Sequence, residues 1–245
     1  MGWVRAIPLQ WRIKMQGSRP LVGNEKNAEF RFTFKGKEFT LRQTECRHWY
    51  AKGLEQVTPT AQKRWEDEVI NFGLDWPKIY TLPYKITPST KLQSLQFRIT
   101  HRFFPTKRYL FTRQVVDEPF CDDCGLVDTL QHFFVQCPVV RQFWQALLLR
   151  LNSRLPLTHR IAPTDTELLF GMLKGKQSVN AIILIAKQFI AIEKFRDGTM
   201  NLNSFNSFLN RQFDIGREIA FKNRTVTKFK NDWHPFITNE MVLGL

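Results

Sequence analysis

Apolar residues recur at helical spacing through most of the chain, and one stretch in its first half shows the pattern clearly. Its apolar positions fall at i, i+3, i+7 and i+11: Leu92, Leu95, Ile99 and Phe103. Thr90 can cap the start of this stretch, and Pro105 ends it. The pattern predicts an amphipathic helix from Lys91 to about Phe103 with one buried face.

The same periodicity predicts further helices over residues 44–53, 59–72, 139–151, 178–196 and 205–220. In the second of these, the inner face consists of Trp65, Val69 and Phe72. Residues 178–196 are the most apolar, but Asn180, Lys187 and Glu193 interrupt them. A buried core helix is therefore predicted there, and no membrane span.

Near the start of the chain the period changes from helical to alternating. Phenylalanines occupy positions 30, 32 and 34, and Phe39 and Leu41 continue the alternation after Lys35–Lys37. This pattern predicts a short β-hairpin. We expect an N-terminal extension over residues 1–60, a central domain over 61–155 and a C-terminal helical region over 156–245. Pro156 and Pro163 bracket the predicted linker.

Basic residues exceed acidic ones, 36 Lys and Arg against 22 Asp and Glu, for a net charge of +14. No acidic residue lies between Asp75 and Asp117, where eight basic residues alternate with aromatic ones. Because basic side chains neutralise phosphates and flat rings stack on unpaired bases, this mixture favours a nucleic-acid-binding surface. A solvated basic surface with core rings is the alternative. The predicted phosphate contacts are Lys91, Arg98, Arg102, Lys107, Arg108 and Arg113.

Three of the four cysteines and one histidine fall within 17 residues: Cys121, Cys124, His132 and Cys137. Three thiolates and one imidazole form a tetrahedral ligand set that zinc prefers. Gly125 can supply the positive φ that a Cys-x2-Cys turn often needs. We predict one structural Zn²⁺, since four protein ligands leave no open position for water. A small apolar cysteine cluster without metal is the alternative.

These features together predict a fold that is mainly α, a helical bundle-like domain with a short N-terminal β-hairpin and a small zinc knuckle. The first 20 residues hold no apolar signal-peptide region, since Arg5, Arg12 and Lys14 interrupt them. We therefore expect a reducing, intracellular location, cytoplasmic or nuclear, and no membrane partner.

Several short motifs follow one another in a specific order along the chain. They are Trp65-Glu66, Asp75-Trp76, Lys91–Ile99, Arg102–Thr106, Phe120–Gly125, Asp128–Phe134, Cys137–Val140 and Phe143-Trp144. With this order, residues from about 65 to 144 resemble the reverse transcriptase zinc-binding domain. That domain follows the polymerase in proteins of LINE-type non-LTR retrotransposons. Residues 179–233 also look like the segment after this domain in such proteins.

The resemblance implies that this region binds the element's RNA or target DNA and helps to position the template for target-primed reverse transcription. It places the metal ligands at Cys121, Cys124, His132 and Cys137. The one Phe-x-Asp-Asp string in the sequence, Phe120-Cys121-Asp122-Asp123, is part of the zinc knuckle itself, and no separate polymerase motif is found. We therefore expect a non-catalytic C-terminal fragment that binds RNA or DNA, with an upstream polymerase domain as a possible partner. Its gene would be a degenerate element copy or a host gene derived from one.

Two other functions stay open at the level of sequence. A remnant restriction-like nuclease would use Asp165, Glu167, Glu193 and Lys194, although Pro163-Thr164-Asp165 departs by one residue from the Pro-Asp element that the family implies. Alternatively, the knuckle would support a protein-interaction surface. Residues 179–192 would then supply an exposed apolar patch.

Overall fold

The computed structural model describes residues 31–34, 37–40, 58–68, 73–238 and 241–242, and it describes side chains within 58–68 and 73–236. The chain divides into two compact units, Met1–Thr58 and Pro59–Leu245. In the first unit, strands β1 (Arg31–Phe34) and β2 (Lys37–Thr40) pair antiparallel, with Arg31 opposite Thr40. The predicted helix over residues 44–53 lies outside the described residues.

The second unit is mainly helical. Its first helices are α1 (Thr60–Glu68), α2 (Trp76–Ile86), α3 (Thr90–Thr100) and α4 (Lys107–Phe111). A π-helical turn (His132–Gln136) leads into α5 (Pro138–Ser153), and a 3₁₀ turn (Leu157–His159) precedes α6 (Asp165–Phe170). The last elements are α7 (Gln177–Phe195), α8 (Leu202–Lys222), α9 (Val226–Trp233), a 3₁₀ turn (His234–Phe236) and the paired strands β3 (Ile237–Thr238) and β4 (Met241–Val242). Among the described residues, no helix is long and apolar enough to cross a membrane.

Helix α7 lies at the centre of the second unit, and α2, α3, α8 and α9 pack around it. Because neighbours contact it on several sides, the helix is apolar around most of its circumference. Residues 179–186 and 189–191 are buried. The prediction of a buried core helix is therefore confirmed. Since α7 packs against α2 and α3, the predicted central and C-terminal segments on either side of residue 155 share one hydrophobic core.

Helix α3 ends earlier than the sequence pattern predicts. Leu92, Leu95 and Ile99 are buried as predicted, but the helix stops at Thr100 and Phe103 is 54% exposed. The physical reason is a Schellman motif: Phe103 N donates to Arg98 O at 2.8 Å, and Arg102 N donates to Ile99 O at 3.0 Å. The apolar period thus continues beyond the point where hydrogen bonding ends the helix.

Helix α2 has no counterpart among the predicted elements. It begins at the N-cap Asp75, whose side chain accepts a hydrogen bond from Lys78 N at 3.1 Å. Pro83 lies inside the helix, where proline removes one backbone donor and is unfavourable. Burial of Trp76, Ile79 and Pro83 on one face stabilises the helix despite this cost.

Lys187 is an unusual residue of the core because it is charged in water and 1% exposed here. Its Nζ donates to Gln96 Oε1 and, at 2.8 Å, to the carbonyl oxygen of Leu169 near the end of α6. None of the ion pairs found in the described part of the chain includes it. Burial lowers the pKa of Lys187 to about 7.

Replacing Lys187 with Met should stabilise the protein most at and below about pH 7, where the buried lysine carries its charge. Between about pH 7 and the unfolded lysine pKa of about 10.4, Lys187 binds more protons in the unfolded chain than in the folded one, so its contribution to wild-type stability becomes less unfavourable as pH rises. The stability difference between K187M and wild type should therefore shrink by about 2 kcal/mol from about pH 7 to about pH 9. Urea unfolding followed by circular dichroism at both pH values measures it.

The control is Lys174→Met, which removes an exposed lysine from the loop before α7. This variant should follow the wild-type pH dependence. A K187M difference that is the same at both pH values would show that Lys187 keeps its proton in the folded state across this range.

Candidate metal centre and nucleic-acid interface

A tight turn presents the first two cysteines of the predicted zinc site. Gly125 N donates to Cys121 O at 2.8 Å, and Cys121 N donates to Leu126 O at the same distance. Gly125 has φ +70°, and no heavy atom lies within 4 Å of where its Cβ would be. Glycine is therefore favoured here because of the positive φ, and not because a larger side chain would collide with a neighbouring atom. It orients Cys121 and Cys124, three residues apart, toward one point.

The other two ligands flank the π-helical turn. Cys137 N donates to His132 O at 2.9 Å, the i to i+5 bond that closes this wider turn. Trp144, from α5, donates its Nε1 hydrogen to Phe134 O at 2.8 Å and so holds the turn against that helix. Cys137 also occupies the N-cap of α5, so the turn that carries His132 leads directly into this helix.

The four side chains converge on one point. Cys121 Sγ lies 4.0 Å from Cys137 Sγ, Cys124 Sγ lies 3.3 Å from His132 Nε2, and all four ligand atoms lie within 4.8 Å of one another. Zn–S bonds of about 2.3 Å in a tetrahedron separate neighbouring sulfurs by about 3.8 Å. The donor set and its spacing are therefore consistent with one zinc ion bound by four protein atoms.

Residues 60–144 match the family model described as zinc-binding in reverse transcriptase. The match contains the whole ligand set and confirms the resemblance to a reverse transcriptase zinc-binding domain over this segment. No curated protein matches the chain. Below, residues 60–144 are called the matched domain.

Burial shifts the pKa of two ligands of the matched domain, Cys121 and His132. Cys121, Cys137 and His132 are buried, and Cys124 is partly buried. Burial raises the pKa of the Cys121 thiol and lowers the pKa of the His132 imidazole. His132 therefore stays neutral near pH 7, as a metal ligand must be, whereas Cys121 loses its proton when a cation binds.

A lysine from outside the matched domain reaches the metal centre. Lys194 lies on α7 and is 6% exposed; its Nζ lies 3.2 Å from both Cys121 Sγ and Asp123 Oδ2. The ammonium also lies 4.8 Å from the ring centroid of Phe133. Three thiolates exceed the charge of one Zn²⁺ by one unit, so the Lys194 ammonium offsets that excess. Sequence reasoning weighed Lys194 for a nuclease and missed this contact, which joins positions 73 residues apart.

The other nuclease candidates have separate structural contacts. Asp165 accepts a hydrogen bond from Arg141 at 3.1 Å, and Glu167 forms a capping box with Thr164 at the start of α6. Glu193 lies on α7, where its carboxylate faces Gly198. Among the described residues, the one group of three or more Cys, His, Asp and Glu side chains that could hold a metal ion is the Cys₃His cluster.

Two of the six predicted phosphate contacts are bound to acidic residues. Arg102 follows the end of α3 with φ +62°, binds both oxygens of Glu68 at 2.8 and 2.6 Å, and lies 4.4 Å from the centroid of Trp65. It therefore joins α1 to the end of α3 and, unlike Lys91 and Arg98, does not lie on α3 itself. Lys107 donates to Asp122 at 2.8 Å.

The other four predicted contacts are exposed, and among the described residues none of them forms an ion pair. They are Lys91, Arg98, Arg108 and Arg113. Lys91 and Arg98 lie on α3, Arg108 lies on α4, and Arg113 follows α4 with its guanidinium 5.3 Å from the centroid of Tyr109.

An open cleft of about 900 Å³ lies beside the metal centre. Among the described residues that line it, the basic ones are Arg64, Arg102, Arg108 and Arg113, and the one acidic residue is Glu68, which binds Arg102. Residues 129–131, which immediately precede the ligand His132, form another part of its wall. The cleft thus carries excess positive charge. Arg64 lies outside the acid-free segment and was not predicted as a site residue.

Asp128 connects the metal-binding segment to the cleft. Its Oδ2 accepts a hydrogen bond from Lys107 N at 2.9 Å, and its carbonyl accepts one from Arg108 N at 3.3 Å. These bonds satisfy backbone donors of the first turn of α4, which lack partners within the helix. Burial raises the pKa of Asp128. The position of Arg108 therefore depends on the segment that carries the ligands.

Replacing Cys124 with Ser should remove zinc and loosen residues 121–137, because metal binding supplies folding free energy there. We expect purified wild type to contain one zinc per chain and C124S to contain much less. Hydrogen exchange in residues 121–137 should be as fast in C124S as in chelated wild type. Cys46→Ser is the control, since this cysteine is distant in sequence from the ligand set. Full zinc content in C124S would contradict the ligand assignment.

Replacing Lys194 with Met should weaken zinc binding by about 10- to 100-fold, the usual effect of removing a group that supports a ligand. Lys194→Arg keeps the charge and should restore most of the affinity. Competition with a chromogenic chelator measures the constants. With Co²⁺ in place of zinc, K194M should shift the sulfur-to-metal charge-transfer band, because one thiolate loses its hydrogen bond. Identical affinity and spectrum in K194M would show that the contact does not act on the metal.

Proposed function

We propose that this chain is a non-catalytic, zinc-stabilised nucleic-acid-binding protein, similar to the C-terminal region of a LINE-type retrotransposon reverse transcriptase. The observation that carries the proposal is the basic cleft beside the Cys₃His centre. Its arginines Arg64, Arg108 and Arg113 form no ion pair with any described residue. Unpaired arginines around an open cleft favour a polyanionic ligand, and RNA or DNA fits the matched domain.

In this proposal zinc acts through structure and not through chemistry. Four protein ligands complete a tetrahedral shell, so no position stays open for a water nucleophile or a substrate oxygen. Zinc instead fixes the segment from Cys121 to Cys137, and Asp128 in that segment holds the first turn of α4. Loss of the metal would weaken nucleic-acid binding indirectly, by releasing Arg108 from its place beside the cleft.

The residues of the proposed interface are Lys91, Arg98, Arg108 and Arg113, with Arg64 added from the cleft. Arg102 and Lys107 act mainly to fix the surfaces on which the others lie, because each is bound to a carboxylate. A polymerase domain on the same or another polypeptide is the proposed functional partner. We place the protein inside the cell, where thiolates stay reduced and both RNA and DNA are available.

The protein-interaction alternative loses the observation that motivated it. Its apolar surface was expected from residues 179–192, but Val179, Ile182, Ile183 and Ile190 are each at most 1% exposed. These side chains pack within the core of the chain itself. The nucleic-acid proposal therefore has the stronger support from the described residues.

The double variant Arg108→Gln, Arg113→Gln tests the proposed function. Binding of labelled RNA and DNA is measured by fluorescence anisotropy over a salt series. If both arginines contact phosphates, affinity should fall for every sequence. The slope of log K against log salt should flatten by about 1.4 for single strands or about 1.8 for duplex.

The charge-matched control is Arg211→Gln, Lys222→Gln on α8, a helix that contributes no residue to the cleft. This control removes the same net charge and should keep the wild-type slope. Equal loss of affinity in both double variants would show that general positive charge, and not the cleft, attracts the nucleic acid.

A further inference from the structure

Two half-exposed phenylalanines lie next to each other, and one of them, Phe103, lines the basic cleft. Phe97 is 47% exposed and Phe103 is 54% exposed, and their ring centroids are 6.5 Å apart. The His101 ring contacts both, with centroids 4.2 Å from Phe97 and 6.2 Å from Phe103. Exposure of two neighbouring large rings is costly in water, so the pair calls for a physical explanation.

The Schellman motif explains why the two rings are neighbours. The residue after the left-handed position, Phe103, usually contacts an apolar residue in the last turn of the helix, which here is Phe97. This contact covers only part of each ring, since about half of both side chains stays exposed. Arg102 holds the motif in place through its two hydrogen bonds to Glu68. The Schellman motif therefore fixes both rings at the surface of the protein but does not bury them.

A row of aromatic rings connects Phe103 to the core. Trp76 contacts Tyr80 at 5.7 Å, Tyr80 stacks on His101 at 5.3 Å, and His101 stacks on Phe103 at 6.2 Å. Both His101 contacts are nearly parallel, with interplanar angles of 17°. Burial lowers the pKa of His101, which keeps the ring neutral near pH 7. A ring supported in this way loses little conformational freedom when a ligand stacks on it.

Two of these rings belong to the same cleft as the arginines that form no ion pair with a described residue, and Phe97 lies beside one of them, Phe103. His101 and Phe103 line it together with Arg108 and Arg113. Flat apolar faces beside guanidinium groups match a ligand that presents unpaired bases and phosphates within a few ångströms of each other. Bases inside a duplex are stacked on each other and cannot reach side chains at such a surface, whereas the bases of a single strand can.

We propose that the cleft binds single-stranded nucleic acid, with bases stacked on Phe97 and Phe103 and with phosphates bound by Arg108 and Arg113. This inference rests on the proposed nucleic-acid-binding function and adds the form of the ligand. Because every base offers a flat face, recognition depends little on sequence. The 900 Å³ cleft is within the size range of about 300–1,000 Å³ typical of ligand sites, which suits a few nucleotides and not a whole helix.

Three labelled probes of equal length test the inference: a single strand, its duplex, and an abasic single strand with the same phosphates. Wild type should bind the single strand more tightly than the duplex at the same salt concentration. It should bind the abasic strand roughly 5- to 100-fold more weakly than the intact strand, since the abasic strand offers no base to stack. This comparison needs no variant and so does not depend on how a variant folds.

The double variant Phe97→Leu, Phe103→Leu keeps apolar side chains and removes both rings. Its affinity for the intact strand should fall by roughly 5- to 100-fold, and its affinity for the abasic strand should hardly change. Zinc content and helical circular dichroism should stay at wild-type values. Phe221→Leu, at a 72% exposed phenylalanine on α8, is the control and should bind as wild type.

The outcomes separate this inference from the function on which it rests. Absence of salt-dependent binding to any probe would overturn the proposed function and the inference together. Salt-dependent binding with equal affinity for duplex and single strand, or for intact and abasic strands, would overturn the single-strand inference and leave the proposed function standing. An unchanged affinity in F97L/F103L would place the stacking surface elsewhere and contradict the assignment.

Discussion

Convergence of three thiols and one imidazole within 4.8 Å is the constraint on which the rest of the site depends. In the absence of a cation such a cluster brings together groups that either repel each other as thiolates or stay protonated and weakly bonded. A zinc ion bound there would replace these weak contacts with four strong ones, and its binding free energy would then contribute folding free energy for residues 121–137. The turn at Gly125 and the π-helical turn at His132 bring the ligands to the required places.

The segment that carries the four ligands also positions the parts of the chain that come before and after it. Toward the chain start, Asp128 holds the first turn of α4 and with it one wall of the basic cleft. Toward the chain end, Cys137 begins α5, whose Val140, Phe143, Trp144 and Leu147 enter the core. The small metal centre therefore joins the exposed basic surface to the apolar interior, and one ion can influence both.

Sequence reasoning succeeded where the determinants are local. The ligand spacing lies within 17 residues, and Leu92, Leu95 and Ile99 follow one helical face, so pattern alone identified both. It was wrong about Phe103 because the apolar period continues past the hydrogen bonds that end α3. It missed α2 because Pro83 is unfavourable within a helix, and tertiary burial overrides this cost.

The contacts that sequence reasoning missed are mostly those between distant positions. Arg102 binds Glu68 across 34 residues, and Lys194 contacts Cys121 across 73. No periodicity or motif encodes such pairs, since each depends on how helices pack. The sequence does contain one signal for Lys187 and Lys194. Both are charged residues within the most apolar segment of the chain, and because they are seven residues apart they lie on the same side of α7.

These two lysines show how α7 is fitted to the matched domain. Lys194 faces thiols and a carboxylate at the metal centre, whereas Lys187 faces the neutral oxygens of Gln96 and Leu169. Removing α7 would therefore uncover the faces of α2 and α3 that pack on it and would also take away the ammonium beside Cys121. It follows that residues 60–144 carry the zinc ligands but not the whole physical unit that stabilises them, since part of the metal environment comes from position 194.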